Sequence, residues 1–497
     1  MKKMNLLAMS LVSAAALSFS SCSNNDDLTG GGTQSQADGV YMTLKISGAT
    51  SHGTRTSVTD GKTTTDNGSV AESTITEGMM YIYDGPTCVF RKVITKDMFE
   101  TAPTQTTSGV TKPIKVAVTG AITTGKKYDV YFLANRTNVD NPIAATSIFT
   151  STTGGADFAT DNKFVMFNQN DGTKAAAHSK VEFTDAAKSD KSPAAADEIK
   201  LDRVVARIDN PSFDESVKTV TPAENTTTSI NVADVVAGIS YEGFAVSNLN
   251  NNSYVMQNWD TKFKTLNVKW GEPKYSLPKS DYGTLYNAAG LVNFSSKENP
   301  VSWKYAFENT TTDVNDATAV YFKVKVALTE TANNASDFMD GTFYRYDGRL
   351  YTSIQAIYND AATGAISNPF TETSSITPAD VVAKISDADG KLTTDEAKLA
   401  QFRQDYKIEV YRQGVMYYRW AISDNAYKPF IASETTHTYS VLRNSIYRLK
   451  VTKVSEIGKD VPNGPEPDDP VKNPNFYMNV TVSINPWVLN AQPIELK

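Results

Sequence analysis

The chain has 497 residues, 40% of them hydrophobic and 21% charged, and carries a formal net charge of −7. A single core rarely serves more than roughly 250–300 residues, so at least two domains are expected. The composition excludes wholesale disorder, and an acidic balance that no basic cluster interrupts excludes nucleic acid as the main partner.

Lys2 and Lys3 form a positive n-region, and Leu6 to Leu17 form an apolar stretch too short to span a bilayer. Phe19-Ser20-Ser21-Cys22 then resembles a lipobox, a signal in which the cysteine takes a diacylglycerol and becomes the new N-terminus. Ser23-Asn24-Asn25-Asp26-Asp27 is similar to the polar run after the lipidated cysteine in surface lipoproteins of Bacteroidetes-type bacteria. Residues 1–22 are therefore read as a lipoprotein signal that anchors the precursor in the outer membrane. An ordinary secretory signal cut before Cys22 is the alternative, disfavoured because the cysteine stands where the signal ends. Gly30–Asp38 is a flexible leash. With Cys22 in the signal, Cys88 has no intrachain partner and reads as a small buried apolar residue rather than a nucleophile.

Val40, Met42, Leu44 and Ile46 alternate with Tyr41, Thr43, Lys45 and Ser47, the period of a strand that buries one face. A polar, glycine-bearing loop over 49–61 follows, of the kind proteases cut most readily. Its arginine, Arg55, reads on composition alone as an ordinary surface residue. Strands are expected at Met79–Tyr83 and Val89–Ile94 around an Asp84-Gly85-Pro86 turn, then at Ile114–Val118, Tyr128–Asn135, Lys163–Phe167, Lys180–Phe183 and Ile199–Ile208. The Pro/Ser/Asp stretch from Asp209 marks a boundary between domains at 56–210 and 211–460. The second half gives strands at Ile239–Ser247, Phe263–Trp270, Ala319–Leu328, Phe343–Tyr351 across an Asp347-Gly348 turn, Lys407–Tyr411, Val415–Ile422 and Asn444–Val454. Two short helices are expected, Pro378–Ile385 capped by Thr377 and Asp395–Asp405 capped by Thr394. The fold class is all-β dominated: two antiparallel β-sandwiches of transthyretin-like or Greek-key type with small helical decorations.

Residues 461–474 are proline-rich and acidic and cannot join a packed core, yet a well-formed strand follows them. Met478, Val480, Val482 and Ile484 alternate with Asn479, Thr481 and Ser483, repeating the pattern at 40–46, and Trp487 adds a large apolar anchor. A strand on a tether at the end of a chain suits another subunit, so the tail of one copy is expected to take the place of the head strand in the next. Four aliphatic side chains at about 1.5–3 kcal/mol each contribute on the order of 6–12 kcal/mol before ordering costs. The 461–475 tether can extend up to ~50 Å at ~3.3 Å per residue, enough to leave its own subunit.

Other motifs carry no chemistry. The run from Gly120 to Lys127 resembles a phosphate loop, but Lys127 replaces the metal-binding hydroxyl residue and leads into a strand, so it reads as a turn. Asp387, Asp389, Gly390 and Glu396 fit part of a calcium loop whose first position, Ile385, lacks a ligand oxygen; a solvated loop is favoured. His52, His178 and His437 lie far apart without ligand partners at metal spacing, and no nucleophile elbow is present. No metal, cofactor or enzymatic activity is expected.

Three stretches together resemble the major-subunit fimbrillins of the short fimbriae of Bacteroidetes, the type V pilins. Arg443-Asn444-Ser445-Ile446-Tyr447 is similar to the family's Arg-Asn-x-x-Tyr, and Val480, Val482, Ile484, Pro486, Trp487, Ile494 and Leu496 to its ending. Leu201–Ile208 is similar to its Arg-x-Val-Ala-Arg strand. The resemblance implies a lipoprotein precursor cut by an arginine-specific surface protease between Arg55 and Thr56, which removes residues 23–55. The opened groove would take the 461–497 donor arm of a neighbour, giving a homopolymer with accessory tip and anchor subunits. A surface glycan-binding lipoprotein, an accessory or tip fimbrial subunit and a lipoprotein hydrolase are the competing readings.

Overall fold

The computed structural model describes residues 39–48, 69, 71–100, 113–137, 141–170, 179–221, 232–258, 301–311, 314, 316–370, 376–422, 439–461 and 478–486. Strands dominate it, with few and short helices. Two sheets share the first core. The smaller runs Ala194–Ala195, Val40–Leu44, Ile114–Val118. The larger runs Ile46–Gly48, Ile199–Arg203, Met166–Asn168, Lys127–Ala134, Gly78–Asp84, Thr87–Ile94, with Ser179–Glu182 joined to Lys127–Ala134. Alternate residues such as Met42, Val116, Ile82 and Phe132 meet between them with no exposure.

The second sandwich pairs a sheet of Ser212–Phe213, Ser445–Val454, Ala206–Asp209 and Trp303–Ala306 with one of Val236–Ser247, Ala319–Leu328 and Val415–Ala421. Its core holds Phe244, Phe322, Met416 and Val451. Among the described residues four pairings are parallel rather than antiparallel. Each joins segments far apart in sequence, which a parallel pair requires and a local alternation pattern cannot reveal.

Expected segments are found with three corrections. Ile199–Ile208 is two strands, Ile199–Arg203 in the first sandwich and Ala206–Asp209 in the second. Val204 and Val205, both buried, carry the chain across, so an unbroken apolar run reads as one strand while its halves serve different sheets. The 163–167 segment contributes only Met166–Asn168. The last helix is Glu396–Tyr406, capped by Asp395 rather than Thr394, whose neighbouring carboxylate accepts from the N–H groups of Ala397 and Lys398. An ionised oxygen is the stronger acceptor for a helix N-terminus. The 263–270 candidate lies outside the described residues.

Elsewhere local chemistry acts as expected. Thr377 Oγ1 accepts from the Asp380 N–H while Asp380 returns a bond to the Thr377 N–H, a capping box that starts the helix Pro378–Lys384. Asp347 and Gly348 both take positive φ, 49° and 74°, in the hairpin between Phe343–Tyr346 and Arg349–Tyr351. The two expected helices, with an unexpected third at Ile354–Ala362, have a core of their own. Helices Ile354–Ala362, Pro378–Lys384 and Glu396–Tyr406 pack Ile357, Val381, Leu399 and Phe402 against Tyr344 and Val410 of the hairpin sheet.

Candidate assembly site

Nine residues, Val40–Gly48, pass through the first sandwich as one nearly continuous extended segment. Val40–Leu44 lies between two strands, antiparallel to Ile114–Val118 from Val40↔Val118 to Leu44↔Ile114, and parallel to Ala194–Ala195. The chain then switches sheets. The Ala196 N–H donates to the Thr43 carbonyl at 3.1 Å and the Ile199 N–H to the Lys45 carbonyl at 2.9 Å. From there Ile46–Gly48 runs parallel to Ile199–Arg203 at the edge of the larger sheet. Met42, Leu44 and Ile46 have no exposed surface and Val40 keeps 6%, while Tyr41, Thr43 and Lys45 are half-buried. The alternation expected for Val40, Met42, Leu44 and Ile46 is thus what seats the segment. Without the segment, Ile114, Val116, Val118 and Ile199 would lose an apolar neighbour and three strands would lose a partner.

The next described residues, 69 and 71 onward, belong to a buried charge network between the two sandwiches. Glu72, fully buried, accepts through both carboxylate oxygens: from Arg207 Nη1 at 3.0 Å to each, from the Ser69 N–H at 2.6 Å and from the Tyr305 hydroxyl at 2.8 Å. Burial works to raise the Glu72 carboxyl, but these hydrogen bonds and the Arg207 charge outweigh it and hold it below the ordinary value. Arg207 also grips Asp209 at 2.7 and 3.2 Å and lies over the Trp303 ring. Burial pushes the Arg203 guanidinium down to about 9, so it keeps its proton at neutral pH and donates to the Glu72 carbonyl, Ser73 Oγ and Asn444 Oδ1.

Arg443 and Asn444 meet the same junction from the other side. Asn444, at φ 55°, donates to Asp202 Oδ1 at 2.9 Å and through its N–H to the Val205 carbonyl. Arg443 pairs with Glu308 and donates to the Val255 carbonyl at 2.7 Å and Ser253 Oγ at 3.0 Å. Tyr447 accepts the Leu442 N–H at 2.8 Å. The residues that carried the family resemblance at 203–207 and 443–447 therefore brace two sandwiches together. Sequence reading missed this role for Glu72, whose only local signal is the Ser69…Glu72 spacing of a small turn.

The tail strand Met478–Pro486 does not hang free. It lies antiparallel along Ser445–Val454, from Ser445↔Pro486 to Val454↔Met478, with one bulge between Val451 and Lys453. Its root is fixed: the Tyr418 and Tyr411 hydroxyls donate to the carbonyls of Glu456 and Gly458 at 2.7 and 2.8 Å. Asp460 pairs with Arg403 and accepts the Val410 N–H at 2.9 Å, and Val461 is buried beside Tyr321. Cys22, Arg55, Thr56 and Trp487, like His52, His178 and His437, lie outside the described residues.

The remaining motifs have structural uses. The run from Gly120 turns into the strand Lys127–Ala134, with the Gly125 N–H on the Phe183 carbonyl. One Asp387 oxygen accepts from the N–H groups of Asp389 and Lys391 at 2.9 Å each. Cys88 is half-buried rather than buried, because its strand Thr87–Ile94 is the sheet edge; its Sγ donates to the Phe90 carbonyl.

Residues 409–493, which contain the tail strand, its partner and the bracing Arg443-Asn444 pair, match the family described as major fimbrial subunit protein type IV, fimbrillin, C-terminal. This C-terminal region is similar to fimbrillins. No curated protein matches the chain. Among solved structures, a putative cell adhesion protein from Parabacteroides distasonis is similar at 12% identity and TM-score 0.45, over 90% of this chain and 99% of that one. A fimbrilin from Porphyromonas gingivalis W83 is similar at 16% identity and TM-score 0.38, over 91% and 99%. The tip fimbrial protein Mfa3 of Porphyromonas gingivalis is similar at 11% identity and TM-score 0.34, over 90% and 100%. The matched region thus holds both the tail strand and the strand on which it rests.

Proposed function

We propose that the chain is a stalk subunit of a cell-surface fimbria that serves adhesion and biofilm formation. It is exported as a lipoprotein held in the outer membrane through Cys22 and matured by an arginine-specific protease between Arg55 and Thr56. Maturation removes residues 23–55 with the head strand, and the Met478–Pro486 strand of another copy, with Trp487 beyond it, fills the vacated seat. The neighbours are further copies of the chain, with accessory tip and anchor subunits at the ends. Its role is structural, not enzymatic.

The observation that carries this reading is the seat itself. Val40–Leu44 is buried on its apolar face and flanked by a strand on each side, Ile46–Gly48 continues it along a second sheet, and the polar sequence 49–61 that contains Arg55 follows. A segment so placed is removable by one cut, and its loss leaves open strand edges over apolar side chains, which favour strand addition. Head-to-tail filling of unlike surfaces does not close on itself and gives a filament.

The test is brief digestion of Ser23–Lys497 with an arginine-specific protease, beside a chain ending at Pro474. Cleavage after Arg55, ladders in unboiled gels and filaments by negative stain are expected from the longer chain alone. A cut protein that stays monomeric, or equal polymerisation of the shorter chain, overturns the reading.

A further inference from the structure

The seat and the tail strand agree in length as well as in pattern. From Val40 to Gly48 is nine residues, and Met478–Pro486 is nine residues. Aligned end to end in the same direction, Met478, Val480, Val482 and Ile484 take the register positions of Val40, Met42, Leu44 and Ile46. Asn479, Thr481, Ser483 and Asn485 take those of Tyr41, Thr43, Lys45 and Ser47, so polar follows polar throughout. We infer that the occupant of the mature seat is the tail strand of a second copy in this one register, antiparallel to Ile114–Val118 and parallel to Ala194–Ala195. The inference rests on the donor-strand reading above.

Three features select the register. A shift by one residue would put Asn479, Thr481 and Ser483 at core positions where Val40, Met42 and Leu44 are buried, which excludes odd shifts. Even shifts keep the backbone direction and are decided by the side chains and by where Pro486, which has no N–H, would lie. In a parallel ladder in which the Ile199 N–H donates to the Lys45 carbonyl, residue 47 returns its N–H to Ile199 and residue 48 points its N–H away. Among the described residues Ile46–Gly48 is the outermost strand of its sheet, so position 48 faces an edge, where a proline is tolerated. Moving the tail forward by two would place Pro486 at the position of Ile46, which is fully buried. Moving it back by two would place Phe476 at the position of Val40 and the branched Ile484 at that of Gly48, the only glycine of the segment.

Volume agrees with the unshifted register. Val, Met, Leu and Ile are replaced by Met, Val, Val and Ile, one methylene fewer in total. The larger side chain moves to the position of Val40, which keeps 6% exposure and so has room at the mouth. The arm also enters where residue 39 leaves, so the tether arrives at the mouth of the seat without reversing.

The register names its contacts. Thr43 is opposite Lys115 on one flank and Ala195 on the other, both exposed, so Thr481 of the incoming copy would stand between them. The test uses Ser23–Lys497 in a Cys88→Ser background carrying Lys115→Cys with Thr481→Cys, and in parallel Ala195→Cys with Thr481→Cys. Cleaved and polymerised samples are oxidised and run boiled, with and without reductant. Reductant-sensitive covalent ladders are expected, with at least five-fold less cross-linking when Asn479→Cys or Ser483→Cys replaces Thr481→Cys. Ladders that favour residue 479 or 483, or tail-dependent filaments in which neither flank cross-links to residue 481, overturn the register while leaving strand exchange intact. Filaments that form without residues 475–497 overturn strand exchange itself. Should a cysteine pair block assembly, moving the proline by Asn485→Pro with Pro486→Asn is the second arm. It places proline where the ladder needs an N–H, and unchanged assembly would overturn the register.

Discussion

Two nine-residue segments share one alternating pattern and sit in different surroundings. Val40–Gly48 has a partner strand on each flank through its first half and a core on its apolar face. Met478–Pro486 is paired, among the described residues, only along Ser445–Val454. Alternation specifies which residues share a face; it does not specify whether the strand is central or at an edge. The head is held as a core element is held, and the tail as an added strand, which suits the proposed exchange of partners.

The largest effect that would test this contrast comes from removing each segment in turn. A chain starting at Ala49 is expected to lose amide protection at Ile114–Val118 and Ile199–Arg203 in hydrogen exchange, while a chain ending at Pro474 keeps it there. Equal loss from both would erase the difference. Next is Glu72→Gln, which strips the charge from a buried site between two arginines and is expected to cost about 3–5 kcal/mol in urea unfolding at neutral pH. Because the Glu72 carboxyl lies below its ordinary value of 4.5, its contribution is full above that pH and is lost as pH falls through the lowered folded value. The wild type should therefore weaken in that acid range and the variant change less, a difference read from urea midpoints between pH 7 and pH 3.

Point changes sharpen the contrast further. Leu44→Ala should cost about 2–5 kcal/mol, as expected for a fully buried leucine. Val482→Ala, in a strand paired on one flank among the described residues, should cost under about 1 kcal/mol in the uncleaved monomer. Similar urea midpoints for the two would sink the distinction between core and added strand. The smallest effect is expected from Lys115→Ala. Its ion pair with Asp190 leaves both side chains about half exposed, so the midpoint should move by less than about 0.5 kcal/mol. A larger loss would mean that charge, rather than apolar burial, seats the head strand.

Much of the candidate site was legible because it depends on local pattern. Val40, Met42, Leu44 and Ile46 announce a buried face by their spacing alone, and the structure gives them that burial. The tail strand was equally visible, but its resting place on Ser445–Val454 was not, since nothing in Met478–Pro486 names a partner. Glu72 shows the same limit more sharply. A carboxylate in a short polar turn reads as solvated until Arg207 and Tyr305, remote in sequence, close over it.

The sequence by itself determined faces, turns and caps: the alternation at 40–46 and 478–484, the Asp347-Gly348 hairpin, and the Thr377–Asp380 box. These follow from steric and hydrogen-bonding preferences that act within a few residues. Only the tertiary structure decided that Ile199–Ile208 divides between two sandwiches, that the head strand has parallel as well as antiparallel neighbours, and that Arg203, Arg207 and Asn444 lock one sandwich to the other. Each depends on which distant backbone edge or buried charge is brought alongside, and that is settled by closing long loops around a shared core.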